Sequence, residues 1–191
     1  MDVETVFLDR DGVINRKAPE GEYVSTWREL EFLPGALEAL RALHLSGIRV
    51  IVVTNQRGVA TGKVNSELLS DLHERLRNAC DHAGGHIDAI YACLHDAGTC
   101  ECRKPAPGLL LRAKTEYPEI DFSRSLVIGD SASDLQAGWR VGSQLMLVGN
   151  AARQESEGRK LNEVGVTAFS VARSLTEAVQ SILRSRQSVQ R

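Results

Sequence analysis

Short apolar stretches and longer amphipathic stretches alternate along most of the chain. The short stretches are apolar throughout, as strands buried on both faces are, and the longer ones place leucines three or four residues apart, as helices do. The predicted strands are 5–8, 49–53, 87–92, 125–128 and 144–148, and the predicted helices are 34–46, 66–83, 108–116, 132–141 and 175–183. This alternation predicts an α/β fold with a doubly wound, mainly parallel, Rossmann-like sheet.

The remaining segments have no clear period. We expect an irregular loop over 15–33, a compact loop over 93–107 and a loop or short helix over 155–164. The polar end of the chain, 184–191, is expected to fray. No linker or internal repeat is visible, so residues 1–191 are predicted to form one domain.

Polar side chains follow three of the predicted strands, and a basic pair lies in the loop that leads toward the fourth. They are Asp9, Asp11, Thr54, Asn55, Asp130, Arg103 and Lys104. Ligands of a parallel sheet bind beyond the carboxyl ends of its strands, so these side chains should meet at one place. Residues i and i+2 of an extended chain point to the same side, which lets Asp9 and Asp11 face one ligand.

This set of residues suits the transfer of a phosphoryl group. Asp9 can act as the nucleophile and form an aspartyl-phosphate. Asp9 and Asp130 can hold Mg²⁺, a hard cation that prefers oxygen ligands. Thr54 and Lys104 can bind the phosphoryl oxygens, and Asp11 can protonate the leaving oxygen and then accept a proton from the attacking water. The sequence therefore predicts a Mg²⁺-dependent phosphatase site.

A second cluster of potential metal ligands lies in the loop 93–102, where Cys93, His95, Cys100 and Cys102 form the pattern C-x-H-x₄-C-x-C. Three thiolates and one imidazole can make a closed tetrahedral zinc site of the structural type. The alternative is that three reduced cysteines and a histidine share this loop by chance. A zinc ion here would hold the adjoining Arg103 and Lys104 over the phosphate site.

The bulk composition excludes several classes of partner. The 23 basic and 25 acidic residues give a formal net charge of −2, so no basic excess indicates nucleic acid. No apolar stretch approaches the length of a membrane span, and the acidic start of the chain is not a secretory signal. We expect a cytoplasmic protein, which we take to be a monomer, with no nucleic-acid or membrane partner.

Four motifs resemble those of the haloacid-dehalogenase-superfamily phosphatases, and they are Asp9-Arg10-Asp11-Gly12, Thr54-Asn55, Lys104 and Gly129-Asp130-Ser131-Ala132-Ser133-Asp134. The resemblance implies that Asp9 is the nucleophile and Asp11 the general acid/base. It also implies that Mg²⁺ is held by Asp9, the backbone carbonyl of Asp11 and Asp130. The segments between the motifs are too short for a separate cap domain.

Within that superfamily, the cysteine loop followed by Arg103 and Lys104 resembles the D-glycero-D-manno-heptose 1,7-bisphosphate phosphatases. The resemblance implies hydrolysis of the 7-phosphate of this small phosphorylated sugar, in nucleotide-activated heptose biosynthesis such as that serving lipopolysaccharide. It assigns substrate contacts to Tyr23, Asn55, Gln56 and Arg103, and structural Zn²⁺ to the cysteine loop. Arg57 departs from the family's pattern, and it either adds a substrate contact near the second phosphate or points to solvent.

Two other interpretations stay open at this level. The loop is also similar to that of the histidinol-phosphate phosphatases, which act on a different phosphomonoester. A phospho-receiver signalling module likewise combines acids, a threonine and a lysine around Mg²⁺ on an α/β sheet. The receiver fits less well, because it needs neither a general acid at Asp11 nor a zinc loop.

Overall fold

The computed structural model describes residues 2–189. Six parallel strands form one sheet in the order β3-β2-β1-β4-β5-β6. They are β1 (Thr5–Leu8), β2 (Arg49–Asn55), β3 (Ala89–Cys93), β4 (Ser125–Gly129), β5 (Gln144–Val148) and β6 (Ser170–Ala172). Leu8, the last residue of β1, pairs with Val52 and with Ile128, so the side chains that follow these strands emerge at one edge of the sheet.

Helices cover both faces of the sheet. They are α1 (Ala36–Leu45), α2 (Ser66–His82), α3 (Gly108–Glu116), α4 (Ala132–Trp139), α5 (Ala151–Glu163) and α6 (Leu175–Val189), with a 3₁₀ turn at Phe122–Arg124. Successive strand residues feed the two cores alternately: Val50 and Val52 pack with α1 and α6, whereas Ile51 packs with α3 and α4. The predicted doubly wound parallel fold is confirmed.

The last third of the chain is more regular than its sequence pattern predicts. Of the two alternatives expected over 155–164, the helix is the one observed, but it is longer than expected, with 13 residues at Ala151–Glu163, and strand β6 was not predicted. Leu161 is the one large apolar residue of helix α5, so the sequence of this helix has almost no repeating pattern of hydrophobic residues. Strand β6 has three residues and exposes Val171, so it carries almost no alternation.

The terminal helix continues through 184–189, where the sequence predicts a frayed tail. Ile182 is buried under the sheet, and Nη1 of Arg186 donates a hydrogen bond to the carbonyl of Ser46 at 2.8 Å. These contacts hold the end of the helix against α1. Residues 190 and 191, the remainder of that predicted tail, lie outside the described residues.

The strand ends that carry the site are not covered by a further folded unit in residues 2–189. The segment after β1 is irregular up to α1, with only isolated bridges at Asp11, Asn15 and Phe32, and the segment between β2 and α2 contains only turns. The fold therefore has no cap domain, as predicted. Within this described part of the chain, no helix has the length and apolarity needed to span a bilayer.

Candidate active site

A cavity of about 530 Å³ lies at the carboxyl ends of the central strands. Eight of the side chains predicted for the site line it, namely Asp9, Asp11, Tyr23, Thr54, Asn55, Gln56, Arg103 and Lys104. Asp130 is buried beside them and is contacted by two further lining residues, Lys17 and Arg153. The convergence expected from the strand ends is therefore present in the structure.

The ammonium of Lys104 is buried between two carboxylates. Its Nζ donates to Oδ1 of Asp9 at 2.8 Å and to the carbonyl of Val53 at 2.7 Å, and it lies 2.6 Å from Oδ1 of Asp134. Buried charges of opposite sign in hydrogen-bond contact stabilise each other's ionised form. Burial alone would lower the pKa of Lys104, but Asp134 and Asp9 outweigh it and raise that pKa, so the lysine is a permanent cation.

The nucleophile predicted from the sequence is held in a low-dielectric environment. Burial raises the pKa of Asp9 to about 7, although the charge of Lys104 opposes the change. Burial also raises the pKa of Asp130, against the charge of Lys17. A divalent cation between the two acids would favour their ionised forms, which both nucleophilic attack and metal binding require.

Asp11 is fixed by three side chains. Arg10 donates from Nη2 to both carboxylate oxygens, at 3.0 and 2.9 Å, and Asn15 donates from Nδ2 to Oδ1 at 2.9 Å. Gln56 donates from Nε2 to Oδ2 at 2.9 Å and to Oγ1 of Thr54 at 2.8 Å. The predicted substrate contact Gln56 thus also connects the second acid to Thr54.

Asn55 holds the backbone that carries the two basic residues of the cysteine loop. Its Nδ2 donates to the carbonyl of Lys104 at 3.0 Å, and its Oδ1 accepts from the Lys104 amide at 3.1 Å. Within residues 2–189, Nη1 of the neighbouring Arg103 is buried and has no hydrogen-bond partner. A buried donor without an acceptor is costly, so this atom is suited to an oxygen of a ligand in the cavity.

One predicted substrate residue is not brought to the cavity. The Nε of Arg57 donates to Oδ1 of Asp96 at 2.5 Å on the surface, and Arg57 is absent from the cavity lining. Tyr23, by contrast, lines the cavity and packs so closely on Gly58 that a Cβ there would lie 2.9 Å from its Cγ. The irregular loop 15–33 therefore contributes a wall of the cavity.

A family model described as haloacid dehalogenase-like hydrolase matches residues 3–142, about three quarters of the chain. The chain belongs to this family. The resemblance predicted from the four motifs is thereby confirmed.

The relatives of this hydrolase share one type of activity by name. A protein of Mycobacterium tuberculosis named D-glycero-alpha-D-manno-heptose-1,7-bisphosphate 7-phosphatase is 42% identical over 132 residues, 69% of each chain. The D-glycero-beta-D-manno-heptose-1,7-bisphosphate 7-phosphatase of Pseudomonas putida is 38% identical over 166 residues, 86% of this chain and 90% of that one.

A solved structure supports the same grouping. The D,D-heptose 1,7-bisphosphate phosphatase from B. bronchiseptica, complexed with magnesium and phosphate, superposes with a TM-score of 0.83 at 32% identity. The match covers 96% of the hydrolase and 99% of that chain. The architecture therefore agrees over nearly its full length.

The acidic cluster of the hydrolase has the donors that Mg²⁺ prefers. Asp9, Asp130 and Asp134 each offer a carboxylate oxygen, and these oxygens lie within 4.8 Å of one another. Asp134 is already engaged, because its Oδ1 contacts Lys104 and its Oδ2 accepts from the backbone and hydroxyl of Ser131 at the start of α4. Asp134 therefore acts as a helix cap and a counter-ion inside the fold, whereas the cations that contact Asp130, Lys17 and Arg153, are partly exposed and could give way to a metal ion.

Gly12 allows the backbone to pass next to this cluster. Its φ is +94°, and a Cβ built on it would lie 2.4 Å from Oδ2 of Asp130. Only glycine meets both conditions without strain. This close approach of the backbone to Asp130 is compatible with the expected binding of Mg²⁺ by the backbone carbonyl of Asp11 together with Asp9 and Asp130.

The cysteine loop brings its four predicted ligands together. Sγ of Cys102 lies 3.2 Å from Sγ of Cys93, 3.3 Å from Sγ of Cys100 and 3.2 Å from Nδ1 of His95. Tetrahedral zinc with Zn–S bonds of about 2.3 Å separates two sulfurs by roughly 3.8 Å, so the spacing needs little adjustment. Donor types, number and spacing all fit a structural zinc ion.

The protonation of these thiols also fits a cation among them. Burial and the neighbouring thiols Cys93 and Cys100 raise the pKa of Cys102 to about 12, whereas at Cys100 the effect of burial is outweighed by hydrogen bonds, chiefly with Cys102, which lower the pKa of Cys100 to about 7. Three thiols this close cannot all ionise unless a positive charge compensates them, whereas zinc requires them as thiolates. Arg103 and Lys104 directly follow the cysteine loop and line the cavity, so a fixed conformation of the loop also restricts the positions of these two residues.

The contacts of four charged residues of the site were not predicted from the sequence. They are the contacts of Arg10, Lys17 and Arg153, and the contact of Asp134 with Lys104. Lys17 donates from Nζ to both oxygens of Asp130 at 3.0 Å, and Nη1 of Arg153 lies 3.3 Å from Oδ2 of the same acid. Lys17 and Arg153 lie in segments without periodicity, which carry no signal of their direction. Arg10 carried a signal, since it stands between the two motif acids.

Proposed function

We propose that this hydrolase removes the 7-phosphate of D-glycero-D-manno-heptose 1,7-bisphosphate through an aspartyl-phosphate on Asp9, in nucleotide-activated heptose biosynthesis. The observation that carries the proposal is the arrangement of Asp9 and Asp11 in one cavity, the first held by a buried lysine and the second by three neutral or cationic donors. Names of relatives aligned over most of the chain support the choice of sugar.

The residues can carry out both halves of the hydrolysis. A carboxylate oxygen of Asp9 attacks phosphorus, the bond from phosphorus to the sugar oxygen breaks, and Asp11 gives that oxygen a proton. A water molecule, deprotonated by Asp11, then attacks the phosphorus, which releases inorganic phosphate and restores Asp9. In this proposal Thr54 and Lys104, which line the same cavity, bind the phosphoryl oxygens.

The proposal assigns a catalytic Mg²⁺ to Asp9, Asp130 and the backbone carbonyl of Asp11. When bound, such an ion supplies positive charge that compensates the acids and polarises the phosphoryl group. It assigns a structural Zn²⁺ to Cys93, His95, Cys100 and Cys102, where it would hold the loop and not take part in the chemistry. The close contacts among both sets of ligands support these assignments.

The cations of the cavity favour a bisphosphate over histidinol phosphate. Arg103, Lys17 and Arg153 line the cavity in addition to Lys104. A second phosphate on the substrate would attract them, and Nη1 of Arg103 offers a buried donor for one of its oxygens. Histidinol phosphate would bring its own cationic amine toward these groups.

We further take residues 1–191 to be one phosphatase domain that acts as a cytoplasmic monomer on a small sugar, without nucleic acid or membrane.

The experiment measures phosphate release from the α- and β-anomers of the heptose 1,7-bisphosphate and from histidinol phosphate, each with Mg²⁺ and with EDTA. We expect turnover of at least one anomer with Mg²⁺, no turnover with EDTA, and a ³¹P spectrum of the product that retains the 1-phosphate. A strong preference for histidinol phosphate would overturn the choice of substrate. A long-lived aspartyl-phosphate without phosphate release would favour a receiver module instead.

A further inference from the structure

Arg10 is the largest side chain among those completely buried, and its guanidinium makes contacts in two directions. On one side it donates to the carboxylate of Asp11, and Nη2 also donates to the carbonyl of Val24 at 2.9 Å. On the other side Nη1 lies 2.9 Å from Nε2 of His73, on helix α2. A buried guanidinium needs acceptors for its donors, so each of these partners restricts its position.

The chemistry of this contact fixes the state of His73. Arginine has no acceptor atom and stays charged, so Nη1 donates and Nε2 must be the unprotonated ring nitrogen. Burial and the charge of Arg10 lower the pKa of His73 to about 3. His73 is therefore a neutral acceptor at physiological pH, with its proton on Nδ1.

His73 lies outside the catalytic cavity. It lines a separate cavity of about 280 Å³ together with Ser70, Glu74, Arg77 and Ile90. Of the three side chains that bond to Asp11, Gln56 lines the catalytic cavity, whereas Arg10 connects Asp11 to His73 on helix α2, 63 residues along the chain. A substitution of His73 would therefore affect Asp11 through Arg10, and it would leave the residues that line the catalytic cavity unchanged.

We propose that His73 is a positioning residue for the proton transfers of Asp11, which it orients through the guanidinium of Arg10. This inference rests on the proposed function, because it takes Asp11 as the acid that protonates the leaving oxygen. Without an acceptor at position 73, Arg10 is free to shift toward other acceptors, and the carboxylate of Asp11 is then held less firmly, by Asn15 and Gln56 alone. A general acid out of line protonates the leaving oxygen less effectively.

The test compares two phosphate esters that differ in their need for an acid. A sugar phosphate has a poor alkoxide leaving group and requires protonation, whereas p-nitrophenyl phosphate releases a stable phenolate without it. The value of kcat/KM reports the steps up to formation of the aspartyl-phosphate, so it isolates the acid role of Asp11 from its later role as a base. The ratio of the two kcat/KM values is the readout.

The variants are His73→Phe, which keeps a ring but has no acceptor, and His73→Gln, which retains one. His82→Phe is the matched control, since His82 is exposed on the same helix and bonds only within it, to the carbonyl of Asn78. We expect His73→Phe to lower kcat/KM for the sugar phosphate about tenfold relative to p-nitrophenyl phosphate, the usual size of an effect transmitted through one residue. His73→Gln should recover most of the loss, and His82→Phe should show none.

An unchanged ratio in His73→Phe would overturn the inference, because a purely structural role slows both esters equally. If His73→Phe does not fold, His73→Leu applies the same test with a smaller side chain. If the wild-type protein hydrolyses neither the sugar phosphate nor p-nitrophenyl phosphate, the proposed function itself is contradicted. Failure of the inference about His73 and failure of the proposed function are therefore distinguishable.

Discussion

The Nζ of Lys104 lies 2.8 Å from Oδ1 of Asp9, and both side chains are buried. The contact joins the loop after the cysteine cluster to the end of the first strand. It places a positive charge beside the carboxylate that we propose attacks phosphorus. Asp134, 2.6 Å away on the other side, keeps the lysine charged when Asp9 is esterified.

Replacing Lys104 with methionine should remove this charge while keeping the length of the side chain. We expect kcat to fall by about 10²–10³-fold, because one preorganised donor to the transition state is lost. The metal-free protein should also lose about 3–5 kcal/mol of unfolding free energy, since Asp9 and Asp134 are left buried without their partner. Steady-state kinetics and urea denaturation measure the two effects. Unchanged kcat would exclude a role of Lys104 in the reaction.

Replacing Asp9 with asparagine should abolish turnover with the fold retained. An amide oxygen is not an effective nucleophile, so the rate should fall by about 10⁴-fold or more. Phosphate release and circular dichroism are the measurements. The control is Asp71→Asn, at an exposed position on α2 whose carboxylate pairs only with Arg75, one turn along the helix. Activity of the Asp9 variant close to that of the control would remove Asp9 as the nucleophile.

Replacing Cys100 with serine should lower the zinc content of the purified protein from about one ion per chain to a small fraction. A hydroxyl is a much poorer zinc ligand than a thiolate, and the remaining three ligands leave the site open. Metal analysis by mass spectrometry is the measurement. Cys80→Ala is the control, since Cys80 lies on the buried face of α2 and is not part of the cluster. Equal zinc in both variants would refute the site.

His73 should make the stability of the protein depend on pH. Its pKa is lowered on folding from 6.5 to about 3. Between these values the unfolded chain binds a proton that the folded chain does not, so its contribution is complete above pH 6.5 and is lost as the pH falls toward 3. Urea denaturation should show that the stability of wild type relative to His73→Gln falls by about 3 kcal/mol from pH 7 to pH 4.

A second variant provides the check on that result. His73→Leu lacks a titrating group as well, so its difference from wild type should change with pH in the same way as that of His73→Gln. The two variants will differ in absolute stability, because only glutamine offers Arg10 an acceptor. If the difference in unfolding free energy between each variant and wild type stays constant from pH 7 to pH 4, His73 has the same pKa in the folded and unfolded states, which would contradict the prediction.

The full extent of helix α5 and the presence of strand β6 could not be predicted, because one is mostly polar and the other has only three residues, so neither carries a hydrophobic period. The contribution of α5 to the site, Arg153, was missed with it. The frayed end expected from polarity is a helix up to Val189, because Arg186 bonds to the backbone of α1 and Ile182 is buried.

The amino-acid sequence was sufficient to predict the parallel α/β fold, the position of acids at the strand ends and the spacing of the four potential zinc ligands. These features depend on local periodicity and on neighbours a few residues apart, which the chain order specifies. The partners of the charged groups are visible in the folded protein alone. Lys17 meets Asp130 across 113 residues and Arg10 meets His73 across 63, and the direction of such long side chains depends on how separate elements pack.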